Sequence, residues 1–357
     1  MRNLYRIVVP AVLVALAVVV RSTGAQSPKP GPEKSPAKAS RAIVDAADAA
    51  DKAALEESRA AAKAIGKDLL YFESENFTYA VMIPKERLKP IVDAVESVYH
   101  EFATDAGLKG WQDLSPKQRP MVLMTMTKAE LDAYTAWYAG TYPVFDKTKY
   151  VESKANVDWY LTVSTRPVLA LHFTGNNEKF VQMTAAHLAG HYVAQRYGYI
   201  QNFMPAWLDE AVASHYEGKA TTEIGCRCYG LYDPIKRPKT SEKMSVRGVQ
   251  VSTYKTKAKP NLLAKEAKTL SEVWKLSMVD LEPKDVEKAY AVVAWMASTP
   301  GKLPAFIKSM KESWPAEVTS SHTDAKAKAY EKAIQAVFGK TVAEVEPAVR
   351  DFVKTKF

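Results

Sequence analysis

The sequence predicts an α+β fold, with a mixed-sheet N-terminal lobe, a two-helix metal site and a helical C-terminal lobe. Three observations carry this reading. Short β-rich runs bounded by polar or turn residues recur at 77–84, 121–126, 158–164 and 168–174. Two helical segments follow between 179 and 218, carrying histidines and an acid at ligand spacing. From residue 262 onward the apolar periodicity is helical, broken by Pro300-Gly301 and Gly339.

In chain order, residues 1–26 read as an export signal: Arg2 and Arg6 precede an apolar run over 7–20, and Ser22, Thr23, Gly24 and Ala25 offer small residues for cleavage. That run, interrupted by Pro10, is shorter than the roughly twenty residues a membrane-spanning helix needs. No lipoprotein cysteine follows. The expectation is therefore an exported, periplasmic or extracellular protein without stable membrane insertion once the signal is removed. Residues 27–40 hold four prolines among small and charged residues and read as a disordered linker. Residues 41–67 are alanine-rich and charged, which favours a helix, too sparse in large apolar residues for a coiled-coil seam. The main domain is expected over 68–357. Its first helix spans 90–102, with Ile91, Val92, Val95, Val98 and Phe102 on one side.

The stretch 179–218 carries the chemistry. His187 and His191 are four apart, which on a helix places both imidazoles on one face, one turn from each other. Gly198 is a plausible stop for that helix. A second helix begins near Pro205, has AWLDEAVASHYE as its body and is expected to end before Gly218. Glu210 lies inside it, and the interval from His191 allows the chain to turn and return alongside. Two imidazoles and one carboxylate would then face a common point, a three-ligand set of the kind that binds zinc.

The pattern H-x-x-x-H, followed by W-L-x-E in the next helix, resembles the gluzincin zinc metallopeptidases, nearest to the peptidase MA-like group. The phrase ESENFTY at 73–79 and the C-terminal AYEKAIQAVFGKTVAEVEPAVRDFV are also similar to that group. The resemblance covers most of 70–357, with its sharp motifs between 187 and 210. It implies a zincin-like fold in which His187, His191 and Glu210 are the Zn2+ ligands, Gly190 is the small residue before the second histidine, and 158–164 or 168–174 is the edge strand holding the substrate backbone. One position departs from the family. The Glu of H-E-x-x-H, which takes a proton from the metal-bound water, is replaced by Leu188. Leucine has no lone pair, and loss of a positioned general base costs about two to four orders of magnitude in rate. No catalytic residue is assigned with Leu188 at the general-base position. Tyr290 is the candidate for stabilising an oxyanion, His215 and Tyr216 follow the third ligand, and Asp209, about 100 degrees round its helix from Glu210, is a poor substitute base.

The expected function is that of an exported zinc-metallopeptidase-like protein, metal-binding but hydrolytically impaired, which binds a peptide or protein ligand in the former cleft. Two alternatives stand beside it: an active metallopeptidase with an unconventional base, and a metal-free structural envelope protein. Formal net charge is +9, or +6 without Arg2, Arg6 and Arg21, and the lysines are scattered among acids. Nucleic acid is therefore not an expected partner, while weak attraction to anionic cell-envelope polymers is expected. Cys226 and Cys228 stand too close in sequence for an unstrained disulfide and lack a second metal-binding pair, so they read as free thiols or a strained local bridge. The segment from 218 to about 260 reads as loop, and His100, His172 and His322 read as isolated structural or surface histidines.

Overall fold

The computed structural model divides the chain into two compact units, Met1–Ala39 and Ser40–Phe357. The described residues, all in the second unit, are 43–114, 119–142, 159–161, 167–173, 178–198, 204–225, 248–277, 280–314 and 323–357. The segments expected as export signal and linker, with Cys226, Cys228 and His322, lie outside them. Among the described residues no helix is long and apolar enough to cross a membrane.

One mixed sheet organises the N-terminal half. Its strands are β1 (Val44–Asp45), β2 (Leu70–Glu73), β3 (Thr78–Val81), β4 (Met121–Thr125), β5 (Trp159–Leu161) and β6 (Val168–His172), in the order β1-β2-β3-β4-β6-β5. The centre is parallel: Tyr79 pairs with Val122, and Val122 with Leu169. The two flanks are antiparallel. Of the two edge candidates, β5 is at the sheet's edge. The run over 168–174 is not, because β6 is paired on both sides.

The strand sequences explain why the sheet lies inside the protein. The β4 run MVLMT is buried throughout, as expected of a parallel strand covered on both faces. Alternate residues go to opposite cores. Tyr79, Val81, Val122, Met124, Leu169 and Leu171 join the large cluster on one face. Ala80, Met121, Leu123, Val168 and Ala170 face a smaller cluster on the other side. Two helices supply the cover for that second face: α1 (Lys52–Ile65) and α3 (Lys128–Thr141). Among the described residues of the alanine-rich segment 41–67, the α-helix covers only 52–65, Ala46–Asp48 form a 3-10 turn, and Val44–Asp45 contribute β1. Asp51 caps α1 by accepting from the Ala54 N–H, and Gly66 closes it at φ 72°.

On the first face lies α2 (Lys85–Ala106), which starts before Pro90 and buries the expected Ile91, Val92, Val95, Val98 and Phe102. Against it pack α4 (Glu178–Gly198) and α5 (Ala206–Thr221). The second of these does not end before Gly218. It continues to Thr221 and stops at Thr222, at φ 64°. The ribbon of β7 (Glu223–Ile224) and β8 (Val249–Gln250) follows, and then α6 (Val251–Leu263), where the sequence suggests loop. Tyr254, Ala258 and Leu262 form its buried face. The C-terminal lobe is helical as expected: α7 (Leu270–Val273), α8 (Pro283–Ala297), α9 (Lys302–Ser313), α10 (Thr323–Phe338) and α11 (Val342–Lys356). Gly301 and Gly339, at φ 76° and 64°, supply the breaks, and Pro347 sits inside α11.

Candidate metal centre

The two site helices are buried around most of their circumference although both carry polar and charged residues. In α4 the buried residues run without interruption from Met183 to Ala194, and α5 is buried from Trp207 to Ser214. Their close crossing depends on Gly190. A Cβ added there would stand 2.6 Å from the Ala213 Cα and 3.0 Å from its carbonyl oxygen. The small residue before the second histidine is therefore what lets the two backbones touch. Trp207, fully buried, anchors the first turn of α5 by stacking on Trp274 and meeting Tyr330 and Phe306. This fixes the rotation of α5 that turns Glu210 towards α4.

At the crossing, His187, His191 and Glu210 converge, all three fully buried. The two Nε2 atoms are 3.1 Å apart, and Glu210 Oε2 lies 3.7 Å from His187 Nε2 and 3.8 Å from His191 Nε2. Each imidazole turns its other nitrogen to a carboxylate. His187 Nδ1 is 3.0 Å from Glu217 Oε2, and His191 Nδ1 is 2.9 Å from Asp209 Oδ1. Those carboxylates are themselves held. Glu217 accepts from the Gly225 N–H at 2.7 Å, and Asp209 accepts from Gln195 Nε2 at 2.8 Å.

This arrangement assigns the tautomers. With His187 Nδ1–H donated to Glu217 and His191 Nδ1 set beside Asp209 Oδ1, each ring can present its Nε2 lone pair to the centre, where the Glu210 carboxylate also points. Three electron-pair donors thus face one another in a buried space, an arrangement that a cation at their midpoint stabilises. Ligands at about 2.0–2.2 Å from a tetrahedral ion stand about 3.3–3.6 Å apart, so the observed separations are close to those of a divalent metal site. For a bound ion the paired carboxylates would fix ligand orientation and raise imidazole basicity. The residues therefore could hold a metal ion.

The sequence-predicted ligands meet, and the structure adds Asp209 and Glu217 as their supports. The sequence presents Asp209 only as a poor substitute base. Nothing in it singles out Glu217, although that residue lies seven positions, two helical turns, beyond Glu210 on the same face. Leu188 is 1 % exposed and packs in the main core. Tyr216 is buried against Phe102 and donates to Asp105 Oδ2 at 2.8 Å, a structural tie between α5 and α2. Tyr290 packs with Tyr254, Phe357 and His215. Burial, and secondly the Glu217 carboxylate, push its hydroxyl pKa upward.

His100 does not stand alone. Its Nε2 lies 3.1 Å from Glu75 Oε2 and 3.8 Å from Glu96 Oε2. The buried Glu96 also accepts from Ser74 Oγ and from the backbone and side chain of Asn76, at 2.5, 2.8 and 2.8 Å. Its carboxylate thereby staples the β2–β3 turn to α2. No family model matches the chain, and no curated protein matches it.

Proposed function

We propose that this is an exported, zinc-binding protein of the gluzincin, peptidase MA-like type whose hydrolytic capacity is impaired at Leu188 and which holds a peptide or protein ligand beside the metal. The observation that supports it most is the meeting of His187, His191 and Glu210, with each imidazole backed by its own carboxylate. His187 and His191 from α4 and Glu210 from α5 would hold the ion, with Glu217 and Asp209 orienting the rings. A bound zinc supplies Lewis acidity, polarising a carbonyl and lowering the pKa of water. Position 188 then withholds the proton acceptor that hydrolysis needs. The two other carboxylates of the site are already committed to Nδ1 of the histidines, so neither stands ready to replace it. The edge strand β5 is the candidate for pairing with an extended ligand.

The full burial of the ligands also favours a second reading, in which the ion chiefly cross-links α4 to α5, since a structural site is closed while a catalytic one keeps an open position. The test is metal analysis of the full chain purified without chelator, alongside His187→Ala. About one zinc per chain, lost in the variant, is expected. A wild-type content far below one per chain sinks both readings. Peptide binding that survives only in the metal-loaded form favours the first, and a chelator-dependent fall in melting temperature without any peptide affinity favours the second.

A further inference from the structure

Away from the candidate metal ligands, the C-terminal end of α5, the β7–β8 ribbon, the first turn of α6 and α8 border an open cavity of about 350 Å³. Gly218 lets α5 pass close to the ribbon and to α6 at its edge: a Cβ there would sit 2.9 Å from Val251 Cγ2 and 3.3 Å from Ile224 Cγ1. The groups that line it include His215, Lys219, Thr222, Ser252, Lys255 and Tyr290, and no acidic side chain is among the lining residues. Both ring nitrogens of His215 are shielded from solvent and, among the described residues, have no hydrogen-bond partner. A buried polar group left in that state costs about 1–3 kcal/mol unless something fills its need.

The charges around it are unbalanced in one direction. Lys219 is compensated by Glu101 at 2.8 Å and Asp105 at 3.3 Å. Lys255 has no carboxylate in ion-pair range among the described residues and lies over the Phe357 ring. Burial lowers its pKa. The N-cap of α6, Gln250, makes no side-chain cap hydrogen bond; the Val251 N–H is taken by the Thr222 carbonyl at 3.2 Å, and the positive end of the helix lies against the cavity. Ser252 and Thr222 add hydroxyls. Donors and positive potential converge here, and nothing in the lining opposes them.

We infer that this cavity is a binding site for a small oxyanion ligand, a phosphate or carboxylate group, held by Lys255, the α6 N-terminus and His215. An anion would supply the acceptor that the His215 N–H lacks and the counter-charge that Lys255 lacks. The volume suits a compound of metabolite size. This site is independent of the metal and of the peptidase-like reading.

The experiment is titration of the full chain, with ring-15N-labelled histidine, by inorganic phosphate, methyl phosphate and acetate in separate arms, each with and without chelator. Saturable movement of the His215 ring signals in at least one arm is expected, unchanged by chelator, with affinity reduced at least tenfold in Lys255→Gln. Response to phosphate and methyl phosphate alone identifies a phosphate ligand, and response to acetate alone identifies a carboxylate. The inference is overturned if none of the three anions moves the His215 signals at millimolar concentration, or if Lys255→Gln binds as tightly as wild type. A spectrum of Lys255→Gln matching wild type outside the cavity shows that the fold is retained.

Discussion

Glu217 reaches back across the helix crossing to place its Oε2 3.0 Å from His187 Nδ1, while its Oε1 takes the Gly225 N–H. One carboxylate thus orients a candidate metal ligand and pins the β7 ribbon. Replacing it by Gln keeps the size and an acceptor oxygen but removes the charge that strengthens the imidazole as a ligand. Glu217→Gln is expected to weaken zinc affinity by about 10–100-fold, and Asp209→Asn by a similar factor through His191. Competition against a chromophoric chelator measures both. Affinity unchanged in both variants would show that these carboxylates do not serve the metal.

The crossing itself predicts a backbone-level sensitivity. Gly190→Ala forces a methyl group into the Ala213 backbone, which is not a flexible partner. A loss of about 1–3 kcal/mol in urea denaturation is expected, together with weaker metal binding. Gly140→Ala in the exposed end of α3, where a Cβ meets nothing within 4 Å, is the control. It should lie within about 1 kcal/mol of wild type, on the stabilising side.

The candidate metal ligands are legible in the sequence because coordination chemistry admits few side chains and a helix admits few spacings. His187 and His191 satisfy both limits. Their supports are harder to read: Asp209 and Glu217 are ordinary acids on a helix, and only the crossing geometry shows which ring each one meets. The α6 helix escapes a sequence reading for a different reason. Its local signal is poor, with three lysines and Pro260, and it owes its state to tertiary burial of Tyr254, Ala258 and Leu262. By contrast α3 carries a local signature, since Thr127 and Glu130 stand at capping-box spacing and form that box in the structure. Gly218 looks like a helix stop. It is instead a point of close approach, a distinction that sequence position alone does not make.

Leu188 offers a gain-of-function test. If the site is a peptidase site lacking its base, Leu188→Glu should raise hydrolysis of an unstructured peptide by about two orders of magnitude or more. Leu188→Gln, which has similar size but is not a base, should not. Because Leu188 is in the core, both variants are expected to melt below wild type. Equal activity in the Glu and Gln variants would remove the general-base explanation. Wild-type turnover that is abolished by His187→Ala would instead favour an unconventional base.

His215 sets the sign of a pH dependence that is separate from the metal. Burial, reinforced by Lys219 and Lys255, lowers its pKa from 6.5 to about 3. Below pH 6.5 the unfolded chain therefore binds a proton that the folded chain refuses until about pH 3. Since the unfolded state holds more protons, folding stability falls as pH falls through that window, at up to about 1.4 kcal/mol per pH unit. The full contribution is recovered above pH 6.5. His215→Gln removes the titrating group, so its urea-denaturation stability between pH 7 and pH 4 should fall less steeply than that of wild type by about one proton's worth of slope. Saturating oxyanion in the adjoining cavity should flatten the wild-type curve in the same direction, because a bound negative charge offsets the two lysines and makes protonation of His215 less unfavourable. Parallel curves for wild type and His215→Gln would mean that the imidazole titrates in the folded protein much as it does in the unfolded chain.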